Sequence, residues 1–376
     1  MTDRRMIRTW AEIDLDALAH NYRLLRALAP KAKFLGLVKA NAYGHGAVPI
    51  GRKLQELGAD MLAVACLDEA VELRQAGITI PILCLGQTPP ELAGELLEYG
   101  VTQTVGDLPA GEALSDAAVR AGKTLTIHVK LDTGMGRLGF VCGEDMSVLK
   151  EVQALCALPG LNAEGVFTHF ANADGDRAYT SLQDRRFQNA VQLLSGHGIN
   201  FKICHCAASA AVLHYPCTYG DMIRPGIALY GYAPGPSPEA PGLKPVMTVK
   251  SRVAAVRSMP AGSFISYGCT ARLERDSNIA VLPVGYGDGL PRVLSNQLEV
   301  RIRDRLCPVL GRICMDMCMV DVTGLPGARP GETATVYGPG LTDRAAQLAG
   351  TISYELLCHI TPRIPRVYLE NGVPIL

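Results

Sequence analysis

Apolar and polar positions alternate along this chain in two distinct rhythms. Leu15, Leu18, Tyr22, Leu25 and Ala29 recur at helical spacing, and Pro30 ends that run. Short apolar runs then alternate with longer amphipathic stretches. The runs cover residues 34–38, 61–66, 80–85, 101–105, 125–131, 163–170, 201–206 and 222–227. Between them, residues 68–76, 91–99 and 177–194 carry helical periodicity. Strands joined by helices lie parallel to one another. Eight of them predict an α/β fold whose amino-terminal part is a closed (β/α)8 barrel of the TIM type, with a doubly wound open sheet as the alternative.

The rhythm breaks near residue 233. Pro234, Pro236, Pro238, Pro241 and Pro245 mark 234–245 as a linker. Beyond it Leu298, Val300 and Ile302 alternate with Glu299, Arg301 and Arg303, the period of a half-buried strand. Residues 1–233 are therefore expected to form the barrel, and 246–376 a smaller, mainly β domain with one helix near 343–348.

Composition narrows the partners. Lys plus Arg and Asp plus Glu both number 36 in 376 residues, so zero formal charge argues against nucleic acid or an anionic membrane. No apolar stretch is long enough to span a bilayer, and no apolar signal core follows the opening Met-Thr-Asp-Arg-Arg. Twelve cysteines include no Cys-x-x-Cys pair, and Cys66, Cys84 and Cys156 sit in apolar surroundings. Free thiols in a cytoplasmic protein are expected. Cys204-His205-Cys206 is spaced too tightly for a zinc site and reads as ordinary strand, so no metal is expected.

A barrel of this type carries its chemistry at the carboxyl ends of its strands. Lys39 ends the first run, Lys130 and Arg137 stand at and after the end of the fifth, and His169 ends the sixth. Ser209 follows the seventh, and Arg224 and Gly226 fall at the eighth, where such barrels often bind phosphate. Lys39 stands between a fully apolar run and a flexible Gly44-His45-Gly46 turn. A partly desolvated lysine loses pKa and becomes an amine suited to Schiff-base chemistry.

These residues belong to longer motifs. They are Val38-Lys39-Ala40-Asn41-Ala42-Tyr43-Gly44-His45-Gly46, Asp132-Thr133-Gly134-Met135-Gly136-Arg137-Leu138-Gly139, Phe167-Thr168-His169-Phe170, Arg224-Pro225-Gly226 and Leu229-Tyr230-Gly231. Ile265-Ser266-Tyr267-Gly268, Val284-Gly285-Tyr286, Gly311-Arg312-Ile313-Cys314-Met315-Asp316 and Gly350-Thr351-Ile352-Ser353-Tyr354-Glu355 continue the series. In order and spacing, over nearly the whole chain, they resemble the bacterial alanine racemases, fold-type III pyridoxal-phosphate enzymes.

The resemblance implies interconversion of L- and D-alanine, supplying D-alanine for peptidoglycan, by a homodimer with shared active sites. It implies that Lys39 carries pyridoxal 5'-phosphate and that Tyr43, Ser209, Gly226, Ile227 and Tyr354 hold its phosphate. Arg224 would face the pyridine nitrogen, with His169 and Leu85 against the ring. A guanidinium does not give up its proton at neutral pH, which leaves the ring a weaker electron sink and suits racemisation. Arg137 would grip the substrate carboxylate beside Lys130, a candidate for carbamylation. Lys39 and Tyr267 of the partner subunit would be the two bases, with Tyr286, Met315 and Asp316 narrowing the entrance from that same subunit. Ala208, Met317 and Asn41 depart from the family's usual residues without removing a catalytic group. A serine racemase, a barrel-type amino-acid decarboxylase and a non-catalytic pyridoxal-phosphate carrier are the competing readings. Arg224 speaks against the decarboxylase, the second domain with Tyr267 against the carrier, and Tyr354 for alanine over serine.

Overall fold

Eight short strands, buried along most of their length, build the larger of two units. They are Lys33–Leu37, Met61–Val64, Ile82–Cys84, Thr102–Val105, Leu125–Asp132, Leu161–Phe167, Ile203–His205 and Met222–Ile223. The computed structural model describes residues 4–235 and 242–375. Every pairing among these eight strands is parallel, and the first seven are joined one to another in sequence order. The last pairs with the first through Met222 opposite Lys33. A parallel bridge between Ala208 and Arg224 brings the seventh strand's end to the eighth. The sheet is thus a nearly closed barrel, as the strand count predicts, and the open-sheet alternative falls.

Phe34, Leu62, Leu83, Ile127 and Val166 are fully buried. Parallel strands covered on both faces read as continuous apolar runs rather than alternating ones. The crossover helices stand near their expected places: Leu67–Gln75 for 68–76 and Arg177–Gly196 for 177–194. The expected helix at 91–99 is divided into a 3-10 turn at Pro90–Leu92 and a helix at Ala93–Glu98. The eighth run shortens most, to Met222–Ile223, before a 3-10 turn at Ile227–Tyr230.

The second unit is mainly β and is built on a ten-stranded sheet. The compact units are bounded differently from the expected division. Residues up to Leu18 and Tyr43–Gly46 group with the chain from Lys244 onward, whereas Ala19–Ala42 and Ala47–Leu243 form the barrel unit. The cause is Thr9–Asp14, which pairs antiparallel with Met247–Arg252 on one edge and parallel with Arg366–Glu370 on the other. Such pairing at long sequence separation leaves no local signature. The alternating segment forms strand Glu299–Ile302 with Val300 and Ile302 inward. The helix near 343–348 is Thr342–Ala349, and a second, Ser353–Cys358, is too short to show its period in sequence. Three of the five linker prolines, Pro236, Pro238 and Pro241, lie outside the described residues.

Candidate active site

Lys39 stands two residues beyond the first barrel strand, and Val38 N–H still bonds Ala63 O at 2.9 Å. The backbone then turns left-handed. Ala40, Asn41, Ala42 and Tyr43 have φ of 52°, 52°, 53° and 52°. Each non-glycine residue in this region costs on the order of 1–2 kcal/mol. Such strain persists where the surroundings over-determine it. Ala42 N–H bonds Val38 O at 2.8 Å. The Glu69 carboxylate accepts from Ala40 N–H and, at 2.7 Å, from Ala65 N–H. Asn41 Oδ1 accepts from Ala47 N–H at 2.8 Å. The following Gly44-His45-Gly46 is not the flexible turn expected. A Cβ on Gly44 would lie 2.2 Å from Leu357 O, and one on Gly46 1.9 Å from Tyr368 Oη. Both glycines serve close packing.

Lys39 opens on a pocket of about 200 Å³ at the carboxyl ends of the strands. Leu37, Leu85, Leu138 and Phe167 supply its apolar walls, and Lys130, Arg137, His169 and Arg224 its polar ones. Among the described residues its basic side chains are Lys39, Lys130, Arg137 and Arg224, and no carboxylate lines it.

Arg224 is 2% exposed. Its Nη1 donates to His205 Nδ1 at 2.9 Å. Nη2 donates to Thr168 O at 2.8 Å, Cys206 O at 3.1 Å and His169 Nδ1 at 3.4 Å. These four acceptors are all neutral. Burial draws Arg224 down to about 10, so it stays protonated at neutral pH. Burial, and then the Arg224 charge, hold His169 well below the usual imidazole range.

Lys130 is 3% exposed and donates to Leu131 O at 2.9 Å. Burial first, and the Arg224 charge next, draw its amine down to about 7. Asp132 organises the loop that carries Arg137. Its Oδ1 accepts from Gly134 N–H and Met135 N–H at 2.9 and 2.8 Å, and its Oδ2 from Arg137 N–H at 3.1 Å. Ser209 Oγ accepts from Gly226 N–H at 2.9 Å and Ala228 N–H at 3.2 Å, which ties the two predicted phosphate turns together.

The structure therefore gathers Lys39, Leu85, Lys130, Arg137, His169 and Arg224 round one pocket, and joins Ser209 to Gly226 just before Ile227. Tyr43 and Tyr354 belong to the β unit, as do Tyr267, Tyr286, Met315 and Asp316. Burial raises the Tyr43 phenol above its ordinary value. Tyr267 is 71% exposed. Asp316 pairs with Arg363 at 2.8 Å. The loops carrying Tyr286 and Met315 are knit by Tyr286 N–H to Cys314 O at 3.0 Å and Gly287 N–H to Met315 O at 2.8 Å.

Sequence reasoning missed two kinds of residue here. His205, read as ordinary strand, is fully buried and bonded to Arg224. Its signal was an imidazole inside an apolar run, a group that burial obliges to find partners. Glu69 sits on a predicted helix and looks like any exposed acid, so nothing local marked it.

Two family descriptions match the chain in sequence: "Alanine racemase, N-terminal domain" over residues 13–234, and "Alanine racemase, C-terminal domain" over 246–368. The alanine racemase of Desulforamulus reducens is 44% identical over 366 residues, 96% of this chain and 98% of that one. Alanine racemase 1 of Clostridium acetobutylicum is 43% identical over 371 residues, 96% of each. In structure, the alanine racemase of Clostridium difficile 630 matches with a TM-score of 0.94 at 36% identity, covering 99% of this chain and 98% of that one. That of Bacillus anthracis with bound L-Ala-P matches at 0.90 and 35%, covering 98% and 97%.

Proposed function

The chain belongs to the alanine racemase family, and from that premise we propose that it interconverts L- and D-alanine with pyridoxal 5'-phosphate held on Lys39. The observation that carries this reading is the basic character of the barrel pocket, lined by Lys39, Lys130, Arg137 and Arg224 and, among the described residues, by no carboxylate. That donor set fits an anionic cofactor and a substrate that brings its own carboxylate. When bound, pyridoxal phosphate withdraws electrons from the substrate Cα and makes its C–H bond acidic.

The residues then divide the tasks. Ser209, the N–H groups of Gly226 and Ile227, and the hydroxyls of Tyr43 and Tyr354 hold the phosphate. Arg224 donates to the pyridine nitrogen and keeps its own proton. His169, neutral, and Leu85 flank the ring. Arg137 pairs with the substrate carboxylate. Lys39 Nζ moves the Cα proton on one face, and Tyr267 Oη of the partner subunit moves it on the other. Removal on one face and return on the opposite face inverts the centre. A homodimer with shared sites is part of this proposal. It is supported by the exposure of Tyr267, Tyr286 and Met315, at 71%, 42% and 53%, on the β unit. A cytoplasmic location and a role in supplying D-alanine for peptidoglycan rest on the family likeness. Among the described residues no helix is long and apolar enough to cross a membrane.

Turnover of D- and L-alanine, with and without added cofactor, tests the reading. Equal inactivity under all four conditions would sink it.

Lys130 gives a pH-dependent prediction. A neutral amine adds to CO2 and an ammonium does not. Drawn down to about 7, Lys130 is about half neutral at pH 7. Its carbamate would place an anion beside the Arg137 guanidinium and steady it. Bicarbonate should therefore lower the KM for alanine about tenfold above pH 7. The effect should fade as pH falls below that point and the amine protonates. Lys130→Ala should remove it. A KM indifferent to bicarbonate at every pH leaves Lys130 as a buried amine only.

Substrate choice rests on Tyr354. Alanine and serine differ by one hydroxyl, and contact alone rejects such an addition by about 10² at most. Alanine should be the better substrate and serine a measurable minor one. Tyr354→Asn should shift the ratio of specificity constants towards serine by about tenfold. An unchanged ratio would move the gate to Tyr286 and Met315.

A further inference from the structure

Behind Arg224 a line of polar side chains runs into the apolar barrel. Arg224 Nη1 donates to His205 Nδ1, His205 Nε2 and His128 Nδ1 lie 2.9 Å apart, and His128 Nε2 faces Glu164 Oε2 at 3.8 Å. His205 and His128 are fully buried, while the Glu164 side chain keeps 27% of its exposure. One arrangement of protons fits the two hydrogen bonds of this line, whereas buried His128 Nε2 has no hydrogen-bond partner and meets Glu164 as a charge contact only. A guanidinium donates and cannot accept, so His205 Nδ1 carries a lone pair. Burial, and then Arg224, hold His205 well below the usual imidazole range, so it is neutral with its proton on Nε2. That proton points at His128 Nδ1, which must accept. The remaining His128 proton then sits on Nε2, towards an acid that can only accept.

Two backbone features are built round the far end. Ile127 stands opposite Ala163 but His128 stands opposite Gly165, so Glu164 is the extra residue of a bulge. Bulges re-aim side chains. A Cβ on Gly165 would lie 2.7–2.8 Å from three atoms of the His128 ring, so glycine there clears the ring's place. The His128 ring, against burial, and then Lys202 and Lys33 hold the Glu164 carboxyl below the usual carboxylate range.

We propose that Glu164 is a positioning residue for the racemase reaction, selecting through His128 and His205 the tautomers that leave Arg224 donating into the pocket. It rests on the reading that Arg224 meets the pyridine nitrogen. Were His205 to carry its proton on Nδ1, an N–H would face the guanidinium and displace it. Glu164→Gln removes the negative charge that draws the His128 proton to Nε2 and leaves Arg224 as the one end that orders the line.

Nitrogen NMR of the full chain, isotope-labelled at histidine, tests this with and without pyridoxal phosphate. Wild type should show His128 and His205 neutral and protonated on Nε2. Glu164→Gln should weaken the preference of His128 for the Nε2 tautomer and lower kcat about fivefold, the upper worth of a charge contact to a partly exposed acid. The KM for alanine should stay nearly constant, and the visible band of the bound cofactor should shift. Glu164→Asp should restore part of both. Unchanged tautomers, or changed tautomers with unchanged kcat and band, would overturn the proposal and leave Glu164 a partner of Lys202 and Lys33 alone. A wild type that forms no visible band with pyridoxal phosphate would instead overturn the cofactor reading and the catalytic role with it. The cofactor-free spectra would still decide whether the ordered proton line exists.

Discussion

Replacing Lys39 with alanine is expected to leave a folded protein that neither keeps pyridoxal phosphate covalently nor racemises alanine. In the proposed mechanism Lys39 combines two tasks, the covalent anchor and the base on one face. Loss of a positioned acid–base group alone lowers a rate by a factor of about 10² to 10⁴. Loss of the anchor adds to this, so the rate should fall by at least about 10³. The fold should survive. The left-handed turn after Lys39 is held by Glu69, Asn41 and Val38, and none of those bonds uses the lysine side chain. The measurement is a visible absorption band in wild type after incubation with cofactor and dialysis, removable by borohydride and absent from the variant. A variant that retained the band would show that another amine carries the cofactor.

Tyr267→Phe should produce the second largest loss. The change removes one ionisable proton and keeps the ring. At 71% exposure the side chain contributes little to the core of its own subunit, so stability should be untouched. Racemisation should fall by a factor of about 10² or more in both directions, since each turnover needs a group on each face. The visible band should be unchanged, because the proposed anchor, Lys39, is unaltered. Near-wild-type rates would make Tyr267 structural and send the search for the second base elsewhere. Mixing Tyr267→Phe with Lys39→Ala subunits separates the two sites further. If Tyr267 serves the partner's pocket, heterodimers regain one intact site and part of the activity.

Much of the barrel was legible because a parallel strand buried on both faces writes its burial directly into sequence. All eight runs overlap observed strands, although the eighth kept only Met222–Ile223. Lys39, Lys130, Arg137, His169 and Arg224 were legible for a related reason. Each sits at or just after the end of an apolar run, and barrel geometry brings such ends to one face. The left-handed backbone at Ala40–Tyr43 was not legible, because alanine, asparagine and tyrosine carry no preference strong enough to announce it. Gly165 was equally silent until the His128 ring was seen to occupy the space a Cβ would need.

By itself the sequence determined which segments are buried, their order, and which chemical groups stand at their ends, since burial period and side-chain identity are local properties. Only the tertiary structure decided that Thr9–Asp14 belongs to the distant β sheet, that Glu69 ties Ala40 to Ala65, and that Arg224, His205, His128 and Glu164 fall in one line. Those facts depend on strand register and on one bulge between Ile127 and His128. A one-residue change of register turns a strand's side chains to its other face. No local pattern records the register a strand takes with a partner tens or hundreds of residues away.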